Sequence, residues 1–268
     1  MEKKLNILKD NKDIVIKNEK GIKYLQFKKL LEYGIKHAYT LSVDGIDFSF
    51  KTEVHDNSYK KLADVLDIDI NNIVEPVQTH TDEVRVLEEV TTSDKLQDVD
   101  GLITNKKNIA ITSKNADCIL FFFYDPKNRV IANVHSGWKG TFKRIAIKTV
   151  QKMIDEFGSN PEDILCFISP SIRKCHFEVD NDVKEMCENI FSELSLEKIV
   201  FKGEIKDGKQ KYMIDTVLIN KEGLLKLGLK EENIIDSDIC SVCHKEEVHS
   251  ARAEGDGFKR ETAIIVLE

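Results

Sequence analysis

Asn115-Ala116-Asp117-Cys118-Ile119-Leu120-Phe121-Phe122-Phe123, with the run that ends Val134-His135-Ser136-Gly137-Trp138-Lys139-Gly140 shortly after it, is the stretch that decides the fold. From Ile119 to Phe123 every residue is apolar, with no alternation. The segment therefore reads as a strand buried on both faces rather than one with a wet side. A second strand reads over 129–134. The period then changes. Phe142, Ile145, Ala146, Thr149, Val150, Met153, Ile154 and Phe157 recur at helical spacing, with Thr141 as the expected cap, Gly158 as the stop and Pro161 just beyond. Strands that need cover on both sides, followed directly by an amphipathic helix, indicate sheets packed beneath helices.

The same reading extends outward. Ile14-Val15-Ile16 and Tyr24-Leu25-Gln26-Phe27 flank the turn Asn18-Glu19-Lys20-Gly21 and predict a hairpin. A short helix follows through Leu30 and Leu31 and ends at Gly34, and His37 to Leu41 reads as a strand. Asn57 is the expected cap of a helix carrying Leu62, Ala63, Val65 and Leu66. Further helices are predicted over 181–194 and over 216–228, the latter capped by Asp215. Further strands read at 108–113, 118–124, 163–168, 199–202, 210–214 and 261–267. Neither a linker nor a repeat divides the chain. The expectation is an α/β fold of mixed α+β order: a single domain over 1–268, with packed mixed β-sheets flanked by helices.

Composition narrows the function. The chain has 268 residues, 41% hydrophobic and 32% charged, with a net charge of −7. An acidic balance argues against nucleic acid as the main partner, because phosphate backbones demand an excess of Lys and Arg. No apolar run approaches the roughly 20 residues of a membrane span. Met1-Glu2-Lys3-Lys4-Leu5 shows no export signal, so a cytoplasmic location is expected. There the six cysteines are thiols or metal ligands rather than disulfides.

His80, Cys118 and His135 are the candidate chemistry. Two imidazoles and a thiolate can hold a tetrahedral zinc with one position left open for water or substrate. Singly, each has a plainer reading: a hydrogen-bonded structural histidine, or a buried cysteine acting as a small hydrophobe. Their setting favours a site, since Asp82 and Asp117 lie beside them and His135 leads into a strand-to-helix turn able to receive an anion. Trp138 reads as core or as a stacking wall. Lys139 and Arg252 each read as solvated or as anion-binding. Cys240-Ser241-Val242-Cys243-His244 offers a single CxxC, which lacks two ligands of a closed zinc site, with His249 a weak completion. Cys175-His176 reads as the lining of a cleft.

Taken together, Gln78-Thr79-His80, Asp100-Gly101-Leu102-Ile103-Thr104, Ala116-Asp117-Cys118 and His135-Ser136-Gly137-Trp138-Lys139-Gly140 resemble one family. So do Ile168-Ser169-Pro170-Ser171-Ile172 with Cys175, Phe177, Glu178 and Val179, then Tyr212-Met213-Ile214-Asp215, Cys240-Ser241 and the loop of Arg252. The family is that of the bacterial purine nucleoside phosphorylases formerly called laccase-domain or multicopper polyphenol oxidase proteins, which also includes proteins described as peptidoglycan editing factors. The resemblance runs from about His37 to the C-terminus. It implies zinc on His80, Cys118 and His135, which would also be the catalytic residues. It also implies phosphorolysis of adenosine, inosine, guanosine and methylthioadenosine, with adenosine deamination as a side activity. Phosphate would be the co-substrate. The departures fall around the metal residues rather than on them. Thr40-Leu41-Ser42-Val43 replaces a Thr-Arg and Gly-Gly pattern, Phe50-Lys51-Thr52 replaces an Asn-Leu-Gly run, and the C-terminal Arg cluster is reduced to Arg252 and Lys259-Arg260.

Three other functions stand beside that one. A hydrolase could use the same cleft to remove L-Ser from peptidoglycan precursors. A copper phenol oxidase could use His, His and Cys, but a laccase also needs a trinuclear cluster. Seven histidines without one His-x-His pair do not supply it. The last is a metal- or partner-binding protein without activity.

Overall fold

The structure is a computed structural model and describes residues 8–50 and 52–268. Met1 to Leu5, read above for an export signal, and Lys51, in the run Phe50-Lys51-Thr52, lie outside the described residues. Two six-stranded mixed sheets form the body. The first, here the N-terminal sheet, runs in the order Ile14–Glu19, Ile22–Phe27, Lys36–Thr40, Glu261–Val266, Ala110–Asn115, Ile73–Val74. The second, the central sheet, runs Ile234–Asp236, Leu165–Ile168, Ile119–Asp125, Val130–Ser136, Gly101–Thr104, Val84–Val86. Most pairings are antiparallel, and each sheet carries parallel pairing at an edge. A small three-stranded sheet of Glu178–Val179, Lys209–Ile214 and Val200–Lys206 stands beside them.

The unbroken apolar run of Ile119–Asp125 is explained by its neighbours. Leu120, Phe122 and Tyr124 point one way, into a core shared with Phe27, Tyr39, Ile111 and Ile265 of the N-terminal sheet. Ile119, Phe121 and Phe123 point the other way, onto Ile145, Ala146, Val150 and Met153 of helix Ile145–Phe157. Phe121 and Phe123 are wholly buried, worth about 2 kcal/mol each. Helix His55–Leu66 covers the outer face of the N-terminal sheet through Tyr59, Leu62 and Leu66. The molecule is thus layered helix, sheet, sheet, helix. Buried Asn133 ties the sheets together. Its Nδ2 donates to the carbonyls of Ile111 at 3.0 Å and Ala263 at 2.9 Å, and its Oδ1 accepts from Ser113.

The predicted hairpin forms, with Lys20 and Gly21 both at positive φ in its turn. Gly158 and Gly228 end their helices in the left-handed conformation, and Asp215 caps helix Thr216–Leu227 through the N–H of Leu218 at 2.9 Å. Two caps are corrected. Asn57 is exposed and lies inside its helix, which begins at His55. Thr141 lies inside a short helix, Trp138–Phe142, and the long helix starts only after Arg144 at φ 63°. The guanidinium of Arg144 holds that break. It donates to Glu193 at 2.6 Å and to the Ile190 carbonyl at 3.2 Å. The hydroxyl of Thr141 is spent elsewhere, on Ser136 and Asn220. No helix among the described residues is long and apolar enough to cross a membrane.

Candidate active site

The chain passes from one sheet to the other through Ala116 and Asp117, between strands Ala110–Asn115 and Ile119–Asp125. Cys118 is placed at that crossing. His135 lies opposite it on the neighbouring strand, where it pairs in register with Leu120. His80 arrives from the loop between Ile73–Val74 and Val84–Val86, with φ at 63°. The ligand atoms of the three all lie within 4.8 Å of one another. His80 Nε2 is 3.7 Å from Cys118 Sγ, and the two imidazole rings meet edge-on at 4.9 Å.

A positive φ at a histidine is strained, and one carboxylate holds it. Asp100, fully buried, accepts from the backbone N–H groups of Thr79 at 3.3 Å, His80 at 3.2 Å and Thr81 at 2.7 Å, and from the Thr81 hydroxyl at 2.7 Å. It also accepts from His135 Nδ1 at 2.7 Å. That bond fixes the tautomer and leaves Nε2 for the cluster. Asp117, itself at φ 86°, is pinned likewise. Its carboxylate accepts from Ser241 Oγ at 2.5 Å and from the N–H of Arg252 at 2.7 Å. Gly137 is required by space: a Cβ there would stand 2.5 Å from His80 Cδ2 and 3.1 Å from Cys118 Sγ.

Charge follows from this packing. Burial opposes ionisation of the Cys118 thiol, but His135 and His80 outweigh it and pull the thiol down to about 6. Burial also opposes a proton on His135, yet Cys118 and Asp100 hold one there up to about 9. Asp100 sits below the ordinary carboxylate range despite its burial, because His135 and Thr81 donate to it. The cluster thus already presents a thiolate to a shared positive group. A divalent cation would occupy the place of that proton with the same donors, so the residues present fit a metal ion.

The cluster opens on a cavity of about 550 Å³. Ile172, Phe177, Trp138 and Phe258 give it apolar walls, while Lys114, Arg252 and Arg260 bring positive charge. Lys114 is buried, 2.8 Å from Glu75 and under the ring of Phe50 at 3.1 Å, and burial lowers its ammonium to about 8. Arg252 spans from the Asp117 loop to the carbonyls of His176 at 3.0 Å and Glu178 at 3.2 Å. Arg260 donates to Ser49 Oγ at 3.2 Å and packs on Phe258. Trp138 is half-buried, lining the cavity on one side and meeting Phe142 edge-on at 5.4 Å on the other. Lys139 is exposed, with its ammonium 5.7 Å from the Trp138 ring, and it is not part of the cavity wall.

Sequence reasoning assigned no role to Asp100, Lys114, Glu75 or Phe50. The available signal was an acid, Asp100, set directly before an apolar strand in Asp100-Gly101-Leu102, and Lys114 as the single charge in the run 108–116. It also kept Cys175-His176 apart from Cys240 and Cys243. In the folded chain these four side chains form a second group, with ligand atoms within 4.8 Å of one another.

A family model described as multi-copper polyphenol oxidoreductase laccase matches residues 49–268. The chain belongs to this family. It is 30% identical over 217 residues to the purine nucleoside phosphorylase YlmD of Bacillus subtilis, covering 77% of this chain and 75% of that one. It is also 30% identical over 234 residues to the purine nucleoside phosphorylase CA_C1699 of Clostridium acetobutylicum, covering 85% and 90%. Among solved structures, the hypothetical protein YfiH of Bacillus licheniformis superposes with a TM-score of 0.84 at 25% identity, over 94% of this chain and 99% of that one. YlmD of Geobacillus stearothermophilus shares the fold at a TM-score of 0.81 and 21% identity, over 95% and 98%.

Proposed function

We propose that this family member is a zinc-dependent purine nucleoside phosphorylase acting on adenosine, inosine, guanosine and methylthioadenosine, with adenosine deamination as a side activity. One observation carries the reading: an open group of three metal donors and three cationic side chains face the same cavity of about 550 Å³. That volume suits a small molecule buried with an anion beside it. Relatives named purine nucleoside phosphorylase support the choice of substrate.

In phosphorolysis a phosphate oxygen bonds to C1′ of the ribose while the C1′–N9 bond breaks, and the electron pair leaves with the purine. Lys114 and Arg260 are suited to hold the phosphate, since both offer charge from a partly dry wall. Phe177, Trp138 and Phe258 would exclude water and flank the planar base. Arg252, already braced by two carbonyls, would orient the sugar or the phosphate. Lys139, outside the cavity, receives no contact in this scheme. Zinc held by His80, Cys118 and His135 would supply a Lewis acid, and in the deaminase reaction an activated water.

Copper is disfavoured by the donor set. His37 is buried in the N-terminal sheet and His55 is paired with Glu75. Among the described residues no histidines gather for a trinuclear cluster. The test is purine release from inosine by zinc-loaded protein with and without inorganic phosphate. Hypoxanthine and a ribose phosphate are expected only with phosphate. Equal rates without it would refute phosphorolysis, and L-Ser release from a muramyl-serine precursor would favour editing instead.

A further inference from the structure

Cys240 and Cys243 occupy one turn, and Cys175 and His176 another, some 65 positions earlier. The fold sets them face to face. Cys175 Sγ lies 3.5 Å from Cys240 Sγ and 3.9 Å from Cys243 Sγ. His176 Nδ1 lies 3.2 Å from Cys175 Sγ, and 3.6 Å from both Cys240 Sγ and Cys243 Sγ. A tetrahedral zinc with Zn–S near 2.3 Å and Zn–N near 2.05 Å demands edges of about 3.8 Å between sulfurs and about 3.6 Å between sulfur and nitrogen. The five observed edges fall within a few tenths of an ångström of those lengths, save the 3.2 Å edge between adjacent residues. The other nearby histidines stand apart. His244 Nδ1 faces the Cys240 carbonyl at 3.1 Å, and His249 Nδ1 faces Glu254 at 3.2 Å.

We propose that Cys175, His176, Cys240 and Cys243 bind a second zinc ion in a closed, four-ligand structural site. Three thiols lose their protons on binding and His176 coordinates as neutral imidazole through Nδ1, so uptake releases up to three protons. With every position filled by protein, this metal has no place for substrate. Its effect is to brace the cavity wall. The two turns it joins carry the His176 carbonyl that receives Arg252, and Ser241, which holds Asp117 beside Cys118. Soft thiolates favour zinc over magnesium or calcium.

The experiment is metal quantification on the full chain, purified under reductant. Wild type should carry two zinc ions per chain. Cys118→Ala should keep one, and so should Cys243→Ser, while the double variant keeps none. Cys175→Ser provides a second variant at an exposed thiol. Loaded with cobalt, Cys118→Ala should show thiolate-to-metal charge-transfer absorption that Cys243→Ser in the same background abolishes. The proposal is overturned if Cys118→Ala carries no metal while folded, if Cys243→Ser and Cys175→Ser retain the wild-type zinc content, or if the reduced protein refuses cobalt at this site. A Cys175–Cys240 disulfide that persists under reductant, seen as a mass lower by two hydrogens, would also overturn it. None of these readings depends on catalysis, so failure here leaves phosphorolysis untouched, and failure of phosphorolysis leaves this site standing.

Discussion

Replacing Asp100 by Asn keeps the shape of the side chain and removes its charge. Asp100 Oδ2 receives Thr79 N–H, Thr81 N–H and the Thr81 hydroxyl, while Oδ1 receives His80 N–H and His135 Nδ1. An Asn can keep its one oxygen on the three donors and must then turn its NH2 toward His135. Nδ1 becomes an acceptor, and the ring proton moves to Nε2, where the metal needs a lone pair. The same NH2 also faces the His80 N–H, so two bonds are lost, that of His80 and the charge-assisted one of His135, at about 2 kcal/mol each. Loss of such an orienting carboxylate weakens metal binding by about 10- to 100-fold. We expect Asp100→Asn to bind the cluster zinc about 30-fold more weakly. Competition against a chromophoric chelator measures this, in a Cys243→Ser background that isolates the cluster, with thermal unfolding run alongside. Affinity within about twofold of the parent, in a folded variant, would refute Asp100 as the group that sets the His135 tautomer.

Cys118→Ala should lose the zinc of this cluster, because it removes the only formal negative charge among the three ligands; a full complement would remove Cys118 from the site. Gly137→Ala must push the His80 ring by about 1 Å to restore ordinary contact distance, so zinc affinity and purine release should both fall, and unchanged values would count against the close packing. Lys114→Met should raise the KM for phosphate by about tenfold or more while zinc content holds; an unchanged KM would move the phosphate elsewhere. His37 gives a pH signature unrelated to the site. It is wholly buried, accepts from Phe27 N–H at 2.8 Å, and burial lowers it to about 4. The unfolded chain therefore takes up the proton first, near 6.5, so stability present above that pH drains away as pH falls toward 4, by about 3 kcal/mol. Denaturant midpoints across that range should show the slope in wild type and a flatter one in His37→Leu.

Much of this was legible in the sequence, for definite reasons. Ile119 to Phe123 showed burial on both faces because no polar residue interrupts it, and Gly21 marked a turn because glycine accepts positive φ cheaply. The cap at Asn57 misread because the helix begins two residues earlier, at His55, and the cap at Thr141 because tertiary contacts to Ser136 and Asn220 take its hydroxyl. Arg144, held by Glu193 from 49 positions away, breaks the helix that the spacing of Phe142 and Ile145 predicts as continuous. His80, Cys118 and His135 could be singled out by residue type, but nothing local tells that Asp100 reaches both the His80 loop and His135. The pairing of Cys175-His176 with Cys240 and Cys243 is likewise a product of sheet order, which no spacing along the chain encodes.

The crossing at Ala116 and Asp117 has one more consequence. The thiolate and imidazole of Cys118 and His135 ride on the central sheet, whereas Lys114 and Arg260 ride on the N-terminal sheet or its immediate approach. If metal and anion meet a nucleoside as proposed, the reacting partners are mounted on separate plates, and the packed layer between the plates sets the gap. A slip of the sheets by a fraction of an ångström would detune catalysis while every hydrogen bond within each sheet survived. Asn133, which bonds across to Ile111 and Ala263 two residues before His135 on its strand, then acts as a spacer as much as a core residue, and activity should respond to pressure before the fold does.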